Sequence, residues 1–156
     1  MTVRPATADD EETLVALRAA LWPEGTAEEH RTEIRAILAG RPRSTLPLAI
    51  LVAEASPAAG PASKLAGFIE VGLRSHADGC DPGRPCGFIE GWYVRPEFKG
   101  RGAGKALMAA AEAWCRQQGC MEIASDTWID NMEAQRAHEA LGFEVVDRCV
   151  NYRKRL

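Results

Sequence analysis

No apolar run in this chain approaches membrane-spanning length; across its 156 residues, charged side chains (26%) interrupt the hydrophobic ones (46%) throughout. A bilayer-crossing helix needs about 20 consecutive apolar residues, so no membrane partner is expected. A basic surplus is also missing. Nineteen Lys and Arg against 22 Asp and Glu give a net charge of −3, without the basic stripe that a nucleic-acid partner requires. The five cysteines are odd in number, which favours reduced thiols over a disulfide framework and points to a cytoplasmic protein. Met1-Thr-Val-Arg-Pro lacks the apolar segment of a secretion signal, which supports the same compartment. His76, Cys80 and Cys86 fit no usual zinc spacing and have no fourth ligand, so no metal is expected. Cys115 and Cys120 read as small apolar fillers. Internal repeats are absent, and the length fits one domain over 1–156 with a sizeable core.

What is present centres on Phe88–Leu107, FIEGWYVRPEFKGRGAGKAL. Phe88, Ile89, Trp92, Tyr93 and Val94 are β-branched or aromatic and predict a buried strand around Glu90-Gly91. Pro96 ends it, having no N–H for a ladder. Gly100, Arg101, Gly102, Ala103, Gly104 and Lys105 follow, then a helix-forming run from Ala106. Strand, glycine turn and helix start make an anion site. Glycine admits a close phosphate, and first-turn amides lack intrahelical partners. Lys99, Arg101 and Lys105 add positive charge. The spacing is neither the Walker pattern nor GxGxxG.

In chain order, Thr2–Arg4 reads as an edge strand. Asp9 or Asp10 caps a helix running to about Trp22, with Leu14, Leu17, Ala20 and Leu21 at helical spacing. Thr26 and Glu29 form a capping box for a second helix through Leu38. Strands are expected at Leu48–Glu54 and Lys64–Leu73, joined by the Ser56–Ser63 loop SPAAGPAS. The turn-rich segment His76–Pro85 is expected to border the site. A helix ending near Gln118-Gly119 precedes a strand at Met121–Thr127, then a helix over Asn131–Leu141 closed by Gly142. Phe143–Val150 and Tyr152–Arg155 read as a final hairpin. The order predicts a mixed α/β (α+β) fold.

Lys99-x-x-Gly102-x-Gly104 resembles the acyl-CoA signature (Gln/Arg)-x-x-Gly-x-(Gly/Ala) of the GNAT superfamily of N-acyltransferases, with Lys at its first position as a departure. Leu21-Trp22-Pro23, Gly79-Cys80-Asp81, Phe88-Ile89-Glu90-Gly91, Ala124-Ser125-Asp126-Thr127, Ala140-Leu141-Gly142-Phe143 and Tyr152-Arg153-Lys154-Arg155 are similar to segments of the aminoglycoside 6′-N-acetyltransferases. That resemblance, from Trp22 to Arg155, implies the GNAT fold, a mostly antiparallel mixed sheet flanked by helices, with acetyl-CoA bound where two central strands splay. It implies a homodimer and direct attack of a 6′-amine on the thioester. Trp22, Glu90 and Asp126 are assigned to aminoglycoside contact, and Asp147 and His76 are further candidates. Pantetheine is expected on the backbone of Trp92, Tyr93 and Val94, diphosphate on Gly100–Lys105, and Asn131 near the pantetheine arm.

Elementary chemistry gives these residues matching tasks. A polycationic substrate needs carboxylates to pair with its ammonium groups. Glu90 or Asp126 is the candidate base for the amine, directly or through water. A backbone N–H among Trp92–Val94 is the candidate oxyanion donor. His138 and Tyr152 are the options for a general acid, which a thiolate leaving group can do without. Each residue also has a plain reading: Glu90 satisfied by backbone amides, Asp126 as a turn or cap, Trp22 as packing, Asp147 as a solvated strand residue. The acidic set Glu90, Asp126 and Asp147 argues for a polycation but does not separate aminoglycosides from polyamines; the same chemistry on another amine (a polyamine, an amino sugar or a protein) and a non-catalytic module that binds acyl-CoA or drug are the alternatives.

Overall fold

The computed structural model describes residues 1–55 and 65–156; the expected Ser56–Ser63 loop lies outside the described residues. The strands are β1 (Thr2–Pro5), β2 (Leu48–Glu54), β3 (Leu65–Arg74), β4 (Cys86–Val94) and β5 (Ile123–Ser125). The helices are α1 (Glu11–Leu21), α2 (Ala27–Leu38), α3 (Ala103–Gln117) and α4 (Met132–Glu139). The sheet runs β1-β2-β3-β4-β5, antiparallel except for the parallel β4–β5 pair. This is the mixed, mostly antiparallel arrangement expected.

Strand alternation sorts the core into two layers. Leu51 and Ala53 of β2 face α3, packing with Leu107, Met108 and Ala111. Their neighbours Ile50 and Val52 face α1 and α2, packing with Leu14, Leu17, Ile34 and Ile37. β3 is buried on both faces, and on it Phe68 and Glu70 share the α1/α2 side. The carboxyl of Glu70 is therefore enclosed by apolar layers, which demands a partner.

Local signals placed most helix boundaries. Thr26 and Glu29 form the expected reciprocal box, the Glu29 N–H donating to Thr26 Oγ1 (3.2 Å) and the Thr26 N–H to Glu29 Oε2 (2.7 Å). At α1 the chain first makes one 3₁₀ turn over Ala8–Asp10, and Asp10 accepts from the Thr7 N–H (2.8 Å) and from Arg4 (2.7 Å). Gly142, at φ +90°, closes α4: its N–H donates to Glu139 O (3.0 Å) and that of Phe143 to His138 O (3.1 Å), a Schellman motif.

Two expectations need correction. β5 is Ile123–Ser125 rather than Met121–Thr127, because its pairing with β4 stops at Ile89↔Ser125. No strand forms over 144–156, where every residue is exposed. Val145, Val146, Val150 and Tyr152 are strand-forming side chains, but β preference takes effect only against a neighbouring strand.

Candidate functional site

Two irregularities coincide in the middle of β4. Glu70 of β3 pairs with Gly91 and Val71 with Ile89, so Glu90 is skipped and bulges out of the ladder. One residue earlier, β4 loses its partner β5. From Glu90 to Val94, the side of β4 that faced β5 pairs with no strand among the described residues, which leaves backbone groups free for an extended ligand.

The glycine turn lies at the end of that open stretch. Gly102 is the N-cap of α3 at φ +84°, and Gly100 has φ +71°, both in the left-handed region. Beyond its chain neighbours, a Cβ added to either would meet no atom of the described residues within 4 Å, so the space above the turn is open. Among the described residues, the amides of Gly100, Gly102, Ala103, Gly104 and Lys105 donate to nothing. Five unengaged N–H groups at a helix start fit a diphosphate. Arg101 and Lys105 are exposed and make no ion pair among the described residues, whereas Lys99 bonds Glu133 in the first turn of α4. Gly104 packs on Trp92, whose buried indole N–H has no acceptor among the described residues.

On the α1/α2 face, a cleft of about 700 Å³ opens beside the bulge, within the usual size range for small-molecule sites. Glu24, Glu29, Glu33, Glu70 and Glu90 line it against Arg18 and Arg43, with Trp22 in the wall. Trp22 lies over the Gly91 backbone, where an added Cβ would come within 2.4 Å of its ring. The Arg18 guanidinium sits 4.8 Å from the Trp22 ring centroid and bonds both Glu70 and Glu33. Its Nε contacts His30 Nδ1 at 3.4 Å, and His30 Nε2 meets Trp22 O at 3.1 Å. Glu90 is forked to Arg74, at 3.0 Å from Nε to Oε1 and 2.8 Å from Nη2 to Oε2. Burial pushes the Glu70 carboxyl up to about 7, against the opposing pull of Arg18.

Residues 12–143 match the acetyltransferase (GNAT) family. The chain belongs to that family. An aminoglycoside N(6′)-acetyltransferase type 1 of Klebsiella aerogenes is 40% identical over 154 residues, 99% of this chain and 96% of the relative. The enzyme of the same name from Serratia marcescens is 42% identical, covering 95% and 94%. AAC(6′)-Iy in complex with the bisubstrate analogue CoA-S-monomethyl-acetylneamine superposes with a TM-score of 0.85 at 34% identity, covering 99% of this chain and 98% of that one. As a GNAT acetyltransferase the chain uses acetyl-CoA as its acyl donor.

In this GNAT fold the sequence-derived candidates divide into groups. Trp22 and Glu90 share the cleft, and Trp92, Tyr93, Val94 and Gly100–Lys105 form the open strand and turn. Asp126 is exposed just past β5, and Arg74 feels its charge. Asn131 caps α4, its Oδ1 accepting from the Ala134 N–H (3.0 Å). His76 is exposed, its Nδ1 3.2 Å from Ser75 Oγ, and Asp147 accepts from the Arg148 N–H (2.7 Å) on the exposed C-terminal arm; neither lines the cleft. His138 donates from Nδ1 to Ala134 O (2.7 Å), and its Nε2 is hydrogen-bonded to Ser125 Oγ (2.8 Å). With both nitrogens engaged, its ring stands edge-on to Trp92 and Phe143, and Tyr152 is 92% exposed.

Sequence reasoning missed Arg18, His30, Glu33 and Glu70. One signal pointed to Glu70: the tripeptide Phe-Ile-Glu occurs both at 68–70 and at 88–90, each time placing one carboxylate in an apolar strand. The others sit on helix faces that read as ordinary amphipathic surface.

Proposed function

We propose that this chain transfers the acetyl group of acetyl-CoA to the 6′-amino group of aminoglycoside antibiotics and so confers resistance to them. The observation that carries this reading is the carboxylate-rich cleft opening at the β4 bulge, next to a strand and turn whose amides are unengaged. A polyammonium ligand gains charge-assisted hydrogen bonds from several carboxylates at once, and Trp22 offers a flat face for a sugar ring. The agreement with curated 6′-N-acetyltransferases over nearly the whole chain supports the same substrate class.

The residues divide the work between two ligands. Backbone groups of Trp92, Tyr93 and Val94 hold the pantetheine, with one N–H placed for the thioester oxyanion. Gly100, Arg101, Gly102, Ala103, Gly104 and Lys105 hold the diphosphate, and Asn131 stands by the pantetheine arm. Trp22 and Glu90 contact the aminoglycoside from the cleft, with Asp126 reaching it from past the end of β5 and His76 and Asp147 further out. The amine attacks the thioester carbon directly, and the CoA thiolate leaves without a covalent enzyme intermediate. Its proton must pass to a carboxylate of this wall, where Glu90 and Asp126 are the two that the sequence singled out. One domain, 1–156, carries both halves.

The working form we propose is a cytoplasmic homodimer. Supporting it, the outer edge of β5 has no partner strand among the described residues, and the 144–156 arm exposes Val145, Val146, Val150 and Tyr152. An open sheet edge and an unpaired strand-forming segment on one chain are what exchange between two copies would satisfy. No helix among the described residues is long and apolar enough to cross a membrane.

Thiol release from acetyl-CoA, measured side by side with kanamycin, tobramycin and spermidine, tests the substrate class. Turnover with the two aminoglycosides well above that with spermidine is expected; the reverse order would contradict it.

A further inference from the structure

We propose that Glu70 is the carboxylate that accepts the proton of the substrate ammonium, directly or through one water. This rests on the proposed function and names a residue for one of its steps. Glu70 sits on β3 opposite Gly91, beside the bulged Glu90, and lines the cleft. Its side chain is 4% exposed. Arg18 bonds Oε1, while Oε2 takes no hydrogen bond from the described residues. Among the described residues, the fully enclosed side-chain polar atoms without a partner are Trp92 Nε1 and Arg95 Nε, so Oε2 is not sealed away from the cleft. The carboxylate is thus fixed by one oxygen and free at the other.

The neighbouring acids are less suited. Both oxygens of Glu90 hold Arg74, so protonation there would break a forked ion pair. Asp126 is exposed beyond the end of β5. A base works best when its proton affinity matches the working pH, and burial with the negative charges of Glu33 and Glu90 brings Glu70 into that range. The charged and titratable groups around it are Arg18 from α1, Glu33 and His30 from α2, Glu90 from β4, and Arg74 at the end of its own strand. Arg18 keeps the carboxylate from becoming too basic.

One proton of the 6′-ammonium passes to Oε2, which frees the nitrogen lone pair. That pair forms the C–N bond at the acetyl carbon, the C–S bond breaks, and its electrons leave on the CoA sulfur. A second N–H proton goes to that sulfur, and Glu70 returns its proton to solvent through the cleft.

The test is the pH profile of kcat/KM with a 6′-amino aminoglycoside for the wild type, E70Q, E90Q and E33Q. The wild type should show an acid limb, and E70Q should lose it along with a factor on the order of 10²–10⁴ in kcat. Acetyl-CoA affinity by calorimetry should hold in E70Q. E90Q and E33Q should both keep the limb and move it to lower pH, because each removes a negative neighbour of Glu70. An E70Q enzyme within about threefold of wild type with the limb unchanged, or a limb that disappears in E90Q, overturns the proposal. Should E70Q fail to bind acetyl-CoA, E33Q decides alone, and an unmoved limb overturns it. Wild-type inactivity on aminoglycosides removes the substrate class and the role of Glu70 together; wild-type turnover with an ordinary E70Q removes only the latter.

Discussion

Glu70 and Glu90 share a tripeptide and a cleft, yet their surroundings give them different electrostatics. Glu70 is enclosed, and its carboxyl is raised from 4.5 to about 7. The folded state therefore binds this proton more tightly than the unfolded chain does. The resulting stability is fully present below pH 4.5 and is lost as pH rises through 7, an effect of up to about 3 kcal/mol. E70Q does not titrate, so its urea-unfolding free energy should gain on that of the wild type by up to this amount between pH 4.5 and 8. A difference that stays constant across that range contradicts the burial account. Trp22 is constrained by shape rather than charge. Its ring occupies the space a Cβ on Gly91 would take, at 2.4 Å. Gly91→Ala should displace the indole and raise KM for an aminoglycoside about tenfold, with acetyl-CoA affinity unchanged. Unaltered kinetics would mean that Trp22 does not touch the drug. At this scale the sequence revealed residues that interrupt a pattern, such as Glu90-Gly91 and Trp22-Pro23. Arg18 stayed hidden because a helix arginine looks solvated until its neighbours are known, and here it is 4% exposed.

Among the elements, the β4–turn–α3 unit was the most legible. Its glycines have a local cause, positive φ at Gly100 and Gly102, and local causes are visible in a single chain. Gly102→Val would force a β-branched residue into the left-handed region and project its side chain over the open amides. Acetyl-CoA binding should weaken at least tenfold, on the order of 1–3 kcal/mol, while melting temperature changes little for so exposed a turn. Normal affinity in that variant would place the diphosphate elsewhere. β2 and α2 were also readable, the first from its apolar run and the second from its capping box. The C-terminal hairpin was not, since strand preference in 143–155 reports what the segment favours and not whether a neighbour exists to pair with it. The β4 bulge was invisible for the same reason: register depends on two strands, and the sequence shows one at a time.

Taken whole, the molecule is a sheet with a helix layer on each face, opened where β4 and β5 part. The glycine turn lies at the end of that opening and the acidic cleft beside it on the α1/α2 face. The exposed arm matters at this scale. Deleting 144–156 should leave the two cores intact, because none of its residues is buried, and should convert the proposed dimer to a monomer in sedimentation analysis. A truncated chain that still dimerises would locate the interface elsewhere. The central claim, that the cleft and the turn together deliver acetyl to one amine of a polycationic drug, is tested most directly by thiol release with an aminoglycoside bearing a 6′-amine and its 6′-hydroxyl counterpart. Release with the first, a product heavier by one acetyl group, and no release with the second is the predicted result. Equal release with both, or none with either, would contradict it.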